Sequence, residues 1–229
     1  MSGGAGAKPG APDGAAAEYG AQAFAVETGV SRETLARYET WRQCLQDTNA
    51  HTNLVGRSTV ADFWYRHALD SWQIYKLGSD LRPGAARWAD LGSGAGFPGL
   101  AIAFGLMATN QPGAQVYLVE SIAKKAGFLS DVAGKTGAPV QVVCGRAESL
   151  HPVPEVEIVT ARALAPLGKL LGYVQPFVDK GALALLPKGG RYKEELTEAR
   201  KSWTFDVEVI PSRTSPDAAI LKIEGLTRV

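Results

Sequence analysis

The stretch "ADLGSGAGFPGLAI", residues 89–102, packs four glycines and one proline between an apolar lead-in and an apolar follow-on. Glycine admits positive φ and lets backbone approach a ligand closely, so a loop of this composition after an apolar run reads as the turn from a strand into a helix over a bound group. A triphosphate loop requires lysine followed by serine or threonine at the helix start, and Phe97, Pro98 and Gly99 stand there instead. Gly94, Gly96 and Gly99 do spell the dinucleotide pattern G-x-G-x-x-G, but it begins two residues late relative to a strand ending at Leu91. The better description is an acidic-x-G-x-G-x-G loop headed by Asp90 and running through Gly92, Ser93, Gly94 and Gly96, with Pro98 suited to the first helical turn.

Beyond the loop, short apolar runs alternate with helix-like stretches, which predicts an α/β fold with a parallel sheet covered by helices on both faces. The predicted parallel strands are 88–91, 116–120, 140–144, 158–161 and 182–186. Two final runs, 205–210 and 219–223, flank "PSRTSPDA", a loop-forming composition, and predict a terminal antiparallel pair. Upstream, Leu35, Tyr38, Trp41 and Leu45 recur at helical spacing behind Ser31 as N-cap, predicting a helix to about Thr48. A second helix is predicted over 58–78, with Ser58 as cap, Phe63, Leu69 and Trp72 on buried faces and Gly78 at the C-terminal end.

The predicted strand ends converge on one edge of the sheet, the usual ligand crevice of an open α/β fold. Glu120 emerges there beside the loop, where its carboxylate can hold two ribose hydroxyls. The third strand delivers Ala147 and Glu148, which can read the face and exocyclic amine of an adenine, and the fourth runs into "VTARALAPL" with Arg162. A nucleoside is implied and a phosphate is not, and S-adenosylmethionine fits best. Singly, Glu120 reads equally well as a solvated charge, Glu148 as a helix-start neighbour and Arg162 as a salt-bridge partner; their regular placement favours the site.

Composition narrows the class without choosing a substrate. With 45% hydrophobic and 21% charged residues, and 24 basic against 23 acidic side chains, the chain is an ordinary globular protein of net charge +1. Such a balance steers no polyanion by itself, so any nucleic-acid role rests on a local basic patch. Two cysteines, Cys44 and Cys144, lack disulfide or zinc spacing and read as free thiols, with no metal site expected. The segment "MSGGAGAKPGAPDGAAAEYG" has no apolar core of the length a signal peptide or membrane span needs, and reads as a flexible tail over residues 1–24. A cytoplasmic protein with no membrane association is expected.

The motifs "NLVGRS", "RHALDS", "ADLGSGAGFPGLAIA", "VESIAKKAGFL", "CGRAESL" and "TARALAPL" together resemble, in order and spacing, the ribosomal RNA small subunit methyltransferase G family, also called glucose-inhibited division protein B. The resemblance covers roughly Leu35 to Lys188. It implies a Rossmann-like S-adenosylmethionine-dependent methyltransferase fold with a mostly parallel seven-stranded sheet, and methyl transfer to N7 of a guanine in 16S ribosomal RNA, free or in a small-subunit assembly particle. Residues 25–229 then form a single methyltransferase domain, with a helical lead-in over 31–80 and a Rossmann-like core over 85–229, expected to be a monomer. By carry-over, Gly92 and Phe97 fall on cofactor-contacting positions, Ala147 and Glu148 on the adenosine-binding pair and Arg162 on the cofactor-site arginine. Glu120 stands where many members have aspartate, a mild departure. "LLPKGG" matches the family's lysine-glycine turn, and the last strands match loosely.

Guanine N7 carries an in-plane lone pair and no proton, so no acid or base residue is expected and alignment is the main demand. N7 is poorly reached in an A-form groove, which favours a loop or splayed-out base held by basic and aromatic groups. Arg66, His67 and Lys188 are the leading candidates, with Arg57, Lys124, Lys125 and Arg191 as further ones. His67 reads equally as a core histidine. A methyltransferase of small molecules or proteins is the first alternative, which a closed apolar pocket would favour, and a nicotinamide-dependent oxidoreductase or nucleotide-binding module using Gly94, Gly96 and Gly99 the second.

Overall fold

The computed structural model describes residues 19–52, 54–56 and 62–229. Helix α1 spans Ala21–Thr28 and α2 Arg32–Asn49, followed by a π-helical turn at Phe63–Leu69 that continues into α3, Asp70–Leu81. The core then alternates β1 (Arg87–Leu91), α4 (Gly99–Ala108), β2 (Gln115–Glu120), α5 (Ala123–Thr136), β3 (Val140–Cys144), a 3-10 turn (Ala147–Ser149), β4 (Ile158–Ala161), α6 (Leu167–Val178), β5 (Leu183–Lys188), α7 (Tyr192–Ala199), β6 (Trp203–Pro211) and β7 (Ala219–Arg228). The seven strands form one sheet in the order β3-β2-β1-β4-β5-β7-β6, with β6 and β7 as the antiparallel pair, as predicted. Chain order reverses between β1 and β4, and the glycine loop leaves β1 at that switch point.

The period of two along each strand sorts side chains between layers. Trp88, Val116, Leu118 and Ile158 face one core with α3, α4 and the lead-in, while Ala89, Leu91, Val159 and Ala161 face the other with α6. Helix α4 is buried from Gly99 to Leu106 because the lead-in covers its outer side, which explains a helix apolar all round. The cover is aromatic: Phe24 lies 4.8 Å from Tyr38, Tyr38 5.2 Å from Phe104, and Trp41 4.5 Å from Phe97, centroid to centroid. Tilted and edge-on pairs of this kind add to their area burial.

Four expectations are corrected. The tail does not extend to residue 24, since α1 starts at Ala21 and buries Phe24 completely against the aromatic cluster; residues 1–18 lie outside the described residues. The predicted 58–78 helix is a π-turn followed by α3, and Ser58 and Arg57 lie outside the described residues. Gly78 does not end it: α3 runs to Leu81, and Gly78 is the place where the helix passes over the Trp88 ring, with no room for a Cβ. Pro98 stands as the N-cap of α4 rather than inside its first turn.

Candidate functional site

The loop after β1 is fastened from below. The amides of Gly92 and Ser93 both donate to Val119 O at 2.8 and 3.1 Å, the Ser93 hydroxyl donates to Asp90 O at 2.8 Å, and Gly96 N donates to Ser93 O at 2.7 Å. Ser93 is thus buried and shapes the turn, its hydroxyl directed inward. Trp41 of α2 reaches across to donate from Nε1 to Ala95 O at 2.9 Å, so the lead-in holds the loop directly. The three loop glycines all take positive φ, at 71°, 57° and 99° for Gly92, Gly94 and Gly96, but for different reasons. A Cβ at Gly92 would strike Leu164 and one at Gly96 would strike Leu100, whereas at Gly94 the nearest atom would be Gly92 O, 3.8 Å away. Only Gly94 opens onto free space, a cradle that a side chain would fill.

Glu120 is the loop's partner. Its Oε2 accepts from Gly94 N at 2.9 Å and its Oε1 from Ile122 N at 2.8 Å, while its carbonyl accepts from Gly145 N at 2.9 Å. It is 5% exposed. A carboxylate offers about four lone-pair positions, so two amides fix its orientation and leave acceptors for a diol. Along the strand order, Ala147 (half-buried) and Glu148 (exposed, with Oε1 3.7 Å from Arg146) follow β3, and Arg162 follows β4. The residues present therefore suit a nucleoside with an uncharged sugar. Ile122, 49% exposed beside Glu120, is an apolar surface at this crevice that sequence reading missed. Its signal was an apolar residue two past a strand-end carboxylate.

Asp90, at the head of the motif, is a strut rather than a ligand. It is fully buried, with Oδ2 accepting from Gly99 N at 3.1 Å and Oδ1 from Thr160 Oγ1 at 3.0 Å, which ties the start of α4 to β1 and β4. Burial pushes its carboxyl up to about 7, against the pull of these donors and of Arg162. Because the folded state holds the proton more tightly than the unfolded chain, this contribution is full below about pH 4 and is lost as pH rises through about 7. Between pH 5 and 7 the unfolding free energy of the native protein should therefore fall by about 2 kcal/mol more than that of Asp90→Asn. Denaturant titrations of both proteins across that range check it, and parallel slopes would contradict it.

Phe97 lies between two rings. His67 stacks on it at 4.4 Å and 20°, Trp41 packs on it at 4.5 Å, and the Arg162 guanidinium stands 5.8 Å above it. Beside this stack a cavity of about 790 Å³ opens between the π-turn, the β4–α6 and β5–α7 connections and the β6–β7 loop, and Arg66, His67, Arg162, Lys188 and Arg191 line it. Arg162 is the residue shared between crevice and cavity. Its Nε meets Asp70 Oδ2 at 3.3 Å and its Nη2 donates to Arg66 O at 3.3 Å. Lys188 is spent on the protein: Nζ pairs with Glu195 Oε2 at 2.6 Å and donates to Ala165 O at 3.0 Å, and its side chain is 8% exposed. Lys124 and Lys125 sit on α5, away from the cavity. Asp70, Gln73 and the β6–β7 loop line it without having been predicted. Among the described residues no three His, Cys, Asp or Glu side chains gather as a metal site, and no helix is long and apolar enough to cross a membrane.

A glycine loop at the switch point, a strand-end carboxylate fixed by amides and a seven-stranded sheet with this terminal pair define an S-adenosylmethionine-dependent methyltransferase. The sheet is shared with a solved structure of a MtNAS mutant in complex with S-adenosylmethionine, at a TM-score of 0.55 and 14% identity over 91% of this chain and 86% of that one. Residues 34–219 match the family described as rRNA small subunit methyltransferase G, and the chain belongs to that family. It is 43% identical to the ribosomal RNA small subunit methyltransferase G of Caulobacter vibrioides over 96% of both chains. It is 45% identical to that of Methylorubrum extorquens, over 89% of this chain and 94% of that one.

Proposed function

We propose that this protein transfers the methyl group of S-adenosylmethionine to N7 of a guanine in 16S ribosomal RNA, as a monomer acting on the RNA or on an assembling small subunit. The observation that carries the choice of substrate is the cavity beside Arg162. It is lined by four cationic side chains against the carboxylates of Asp70 and Glu195, and it is open. A closed apolar pocket would have favoured a small-molecule acceptor.

When bound, the cofactor supplies an electrophilic methyl on a sulfonium. Glu120 accepts from the ribose hydroxyls, Gly94 leaves room for the sugar, and Ile122 with Ala147 and Glu148 surrounds the adenine. Gly92, Gly96 and Ser93 give the loop its shape, and Phe97 buttresses it. Arg162 keeps Nη1 uncommitted among the described residues, which makes it the donor toward the cofactor's carboxylate. The protein then has to align guanine N7 with the methyl and keep water out; N7 needs no deprotonation, so no side chain has to move a proton.

The cavity cations divide by what they already hold. Arg191 is exposed, and among the described residues the Arg66 side chain pairs with Asp62, at 3.8 Å with 61% of its side chain exposed, so these two are offered to phosphates. Arg66→Ala and Arg191→Ala should each lower the slope of log affinity for 16S rRNA against log salt by about 1, with little change in melting temperature. Lys188→Ala should instead cost on the order of 2 kcal/mol of stability, by removing the cation from Glu195, which keeps only the Leu167 amide among the described residues, and the donor from Ala165 O, and should leave the slope unchanged. Filter binding at several salt concentrations, with melting curves, separates the two groups. His67 is 7% exposed and stacked on Phe97, which makes it a support for the loop rather than an RNA contact.

The substrate class is tested by offering labelled S-adenosylmethionine with 16S rRNA, transfer RNA and a small-molecule extract in separate reactions. Label confined to 16S rRNA supports the reading, and label in the small-molecule fraction alone replaces it with the small-molecule alternative.

A further inference from the structure

One carboxylate joins the two halves of the site. Asp70, in the first turn of α3, places Oδ2 3.3 Å from Arg162 Nε, and its Oδ1 accepts from Thr214 Oγ1 at 2.6 Å and from Gln73 Nε2 at 2.8 Å. Gln73, one turn along, turns its Oε1 to Arg213 N at 3.0 Å, and Thr214 and Ser212 hydroxyls meet at 3.0 Å. Arg213 is held in turn by Glu27 of α1 at 2.6 Å. The β6–β7 loop, which lines the cavity together with the β4–α6 connection, is thus tied to the lead-in through side chains, and the same Asp70 fixes the guanidinium above Phe97. Both side chains of the ion pair are sheltered, Arg162 at 24% and Asp70 at 18% exposed, where charge-assisted bonds hold geometry better than at a free surface.

The geometry points to Asp70 as a positioning residue that couples the cofactor side of the site to its RNA side: it holds Arg162 with one oxygen and the Thr214 loop with the other. This rests on the methyltransferase reading above. No atom of Asp70 has to touch a reacting group. Its role is to let the arginine that faces the cofactor and the loop that frames the acceptor cavity adopt one arrangement together, so that loss of either limb is felt at the other.

Three variants separate the limbs. Asp70→Asn keeps the size and removes the charge, so Arg162 loses its partner while an acceptor remains for Thr214; Thr214→Val removes only the loop limb; Arg162→Ala removes only the cofactor limb. The account predicts about tenfold weaker S-adenosylmethionine binding for Asp70→Asn by calorimetry, together with a raised KM for rRNA. Thr214→Val should raise KM for rRNA several-fold and, through Asp70, weaken calorimetric S-adenosylmethionine binding by a smaller factor of about three. In a double-mutant cycle on KM for rRNA, Arg162→Ala and Thr214→Val should be non-additive in the native background and additive once Asp70 is Asn. A purely structural Asp70 would lower the melting temperature of Asp70→Asn and leave cofactor affinity and KM unchanged at temperatures where it is folded. That result, or additivity in the native background, overturns the inference. Should the native protein neither bind S-adenosylmethionine nor methylate rRNA, the underlying functional reading fails first, and the two failures are told apart by the native control alone.

Discussion

Glu120→Ala is expected to weaken S-adenosylmethionine binding by about 100-fold or more while leaving the protein folded. The side chain contributes two acceptor bonds to the proposed diol, each to a charged group and worth about 1.5–3 kcal/mol, so two of them amount to at least two factors of ten. Gly94 N and Ile122 N lose their partner as well, which loosens the loop, but both lie in part-buried contacts that water can replace. Glu120→Gln should be intermediate, because the amide can still accept at one oxygen. Calorimetric titration of both variants, with melting curves beside it, checks the assignment, and an unchanged cofactor affinity in Glu120→Ala would remove this residue from the site.

The largest expected effect on stability comes from Trp41→Ala, at about 3–5 kcal/mol. Trp41 is fully buried, its ring packs on Phe97, Phe63 and Phe104, and its indole N–H is the donor to Ala95 O in the glycine loop. Truncation leaves a cavity between α2 and α4 and an unpaired carbonyl in the loop, so the cofactor affinity of the surviving folded fraction should fall too. Trp41→Phe should recover much of the packing and none of the hydrogen bond, which separates the two contributions. Denaturant unfolding gives the first quantity and calorimetry on folded protein the second. A loss below about 1 kcal/mol would show that the lead-in does not support the loop in the way described.

The sheet was legible because its information is local. Strands β3 and β4 fall on the predicted residues, and the other five differ only at their ends, since each strand is a short apolar run bounded by turn formers. The glycine loop and Glu120 were legible for the same reason: a loop that must take positive φ and a carboxylate at a strand end both leave marks within a few residues. What was not legible depends on partners far along the chain. Phe24 seats helix α1 against Tyr38, Trp64 and Trp72, residues far along the chain, and nothing in a small-residue segment announces that. Gly78 looked like a helix end because the ring of Trp88 that requires it arrives ten residues later. Lys188 looked free for RNA until Glu195 stood beside it. The tie of Asp70 to Thr214 spans 144 residues of sequence, so no spacing rule could have found it.

The site shows the same division of labour between neighbours of similar appearance. Among three positive-φ glycines, two are required by Leu164 and Leu100 and one by open space. Among four cavity cations, Lys188 is spent on Glu195, Arg162 is anchored by Asp70 through Nε, and the more exposed Arg66 and Arg191 reach outward. The chemistry asked of the protein, alignment without proton transfer, suits a site whose charged groups mostly hold one another in place.

The identity of the methylated nucleoside decides whether this protein is a guanine-N7 methyltransferase of 16S rRNA. Native protein and Glu120→Ala are incubated with labelled S-adenosylmethionine and unmodified 16S rRNA, and the RNA is digested to nucleosides for mass spectrometry. Label in 7-methylguanosine is expected with the native protein and almost none with the variant. Label in any other nucleoside, or none in RNA while S-adenosylmethionine binds tightly, would contradict it.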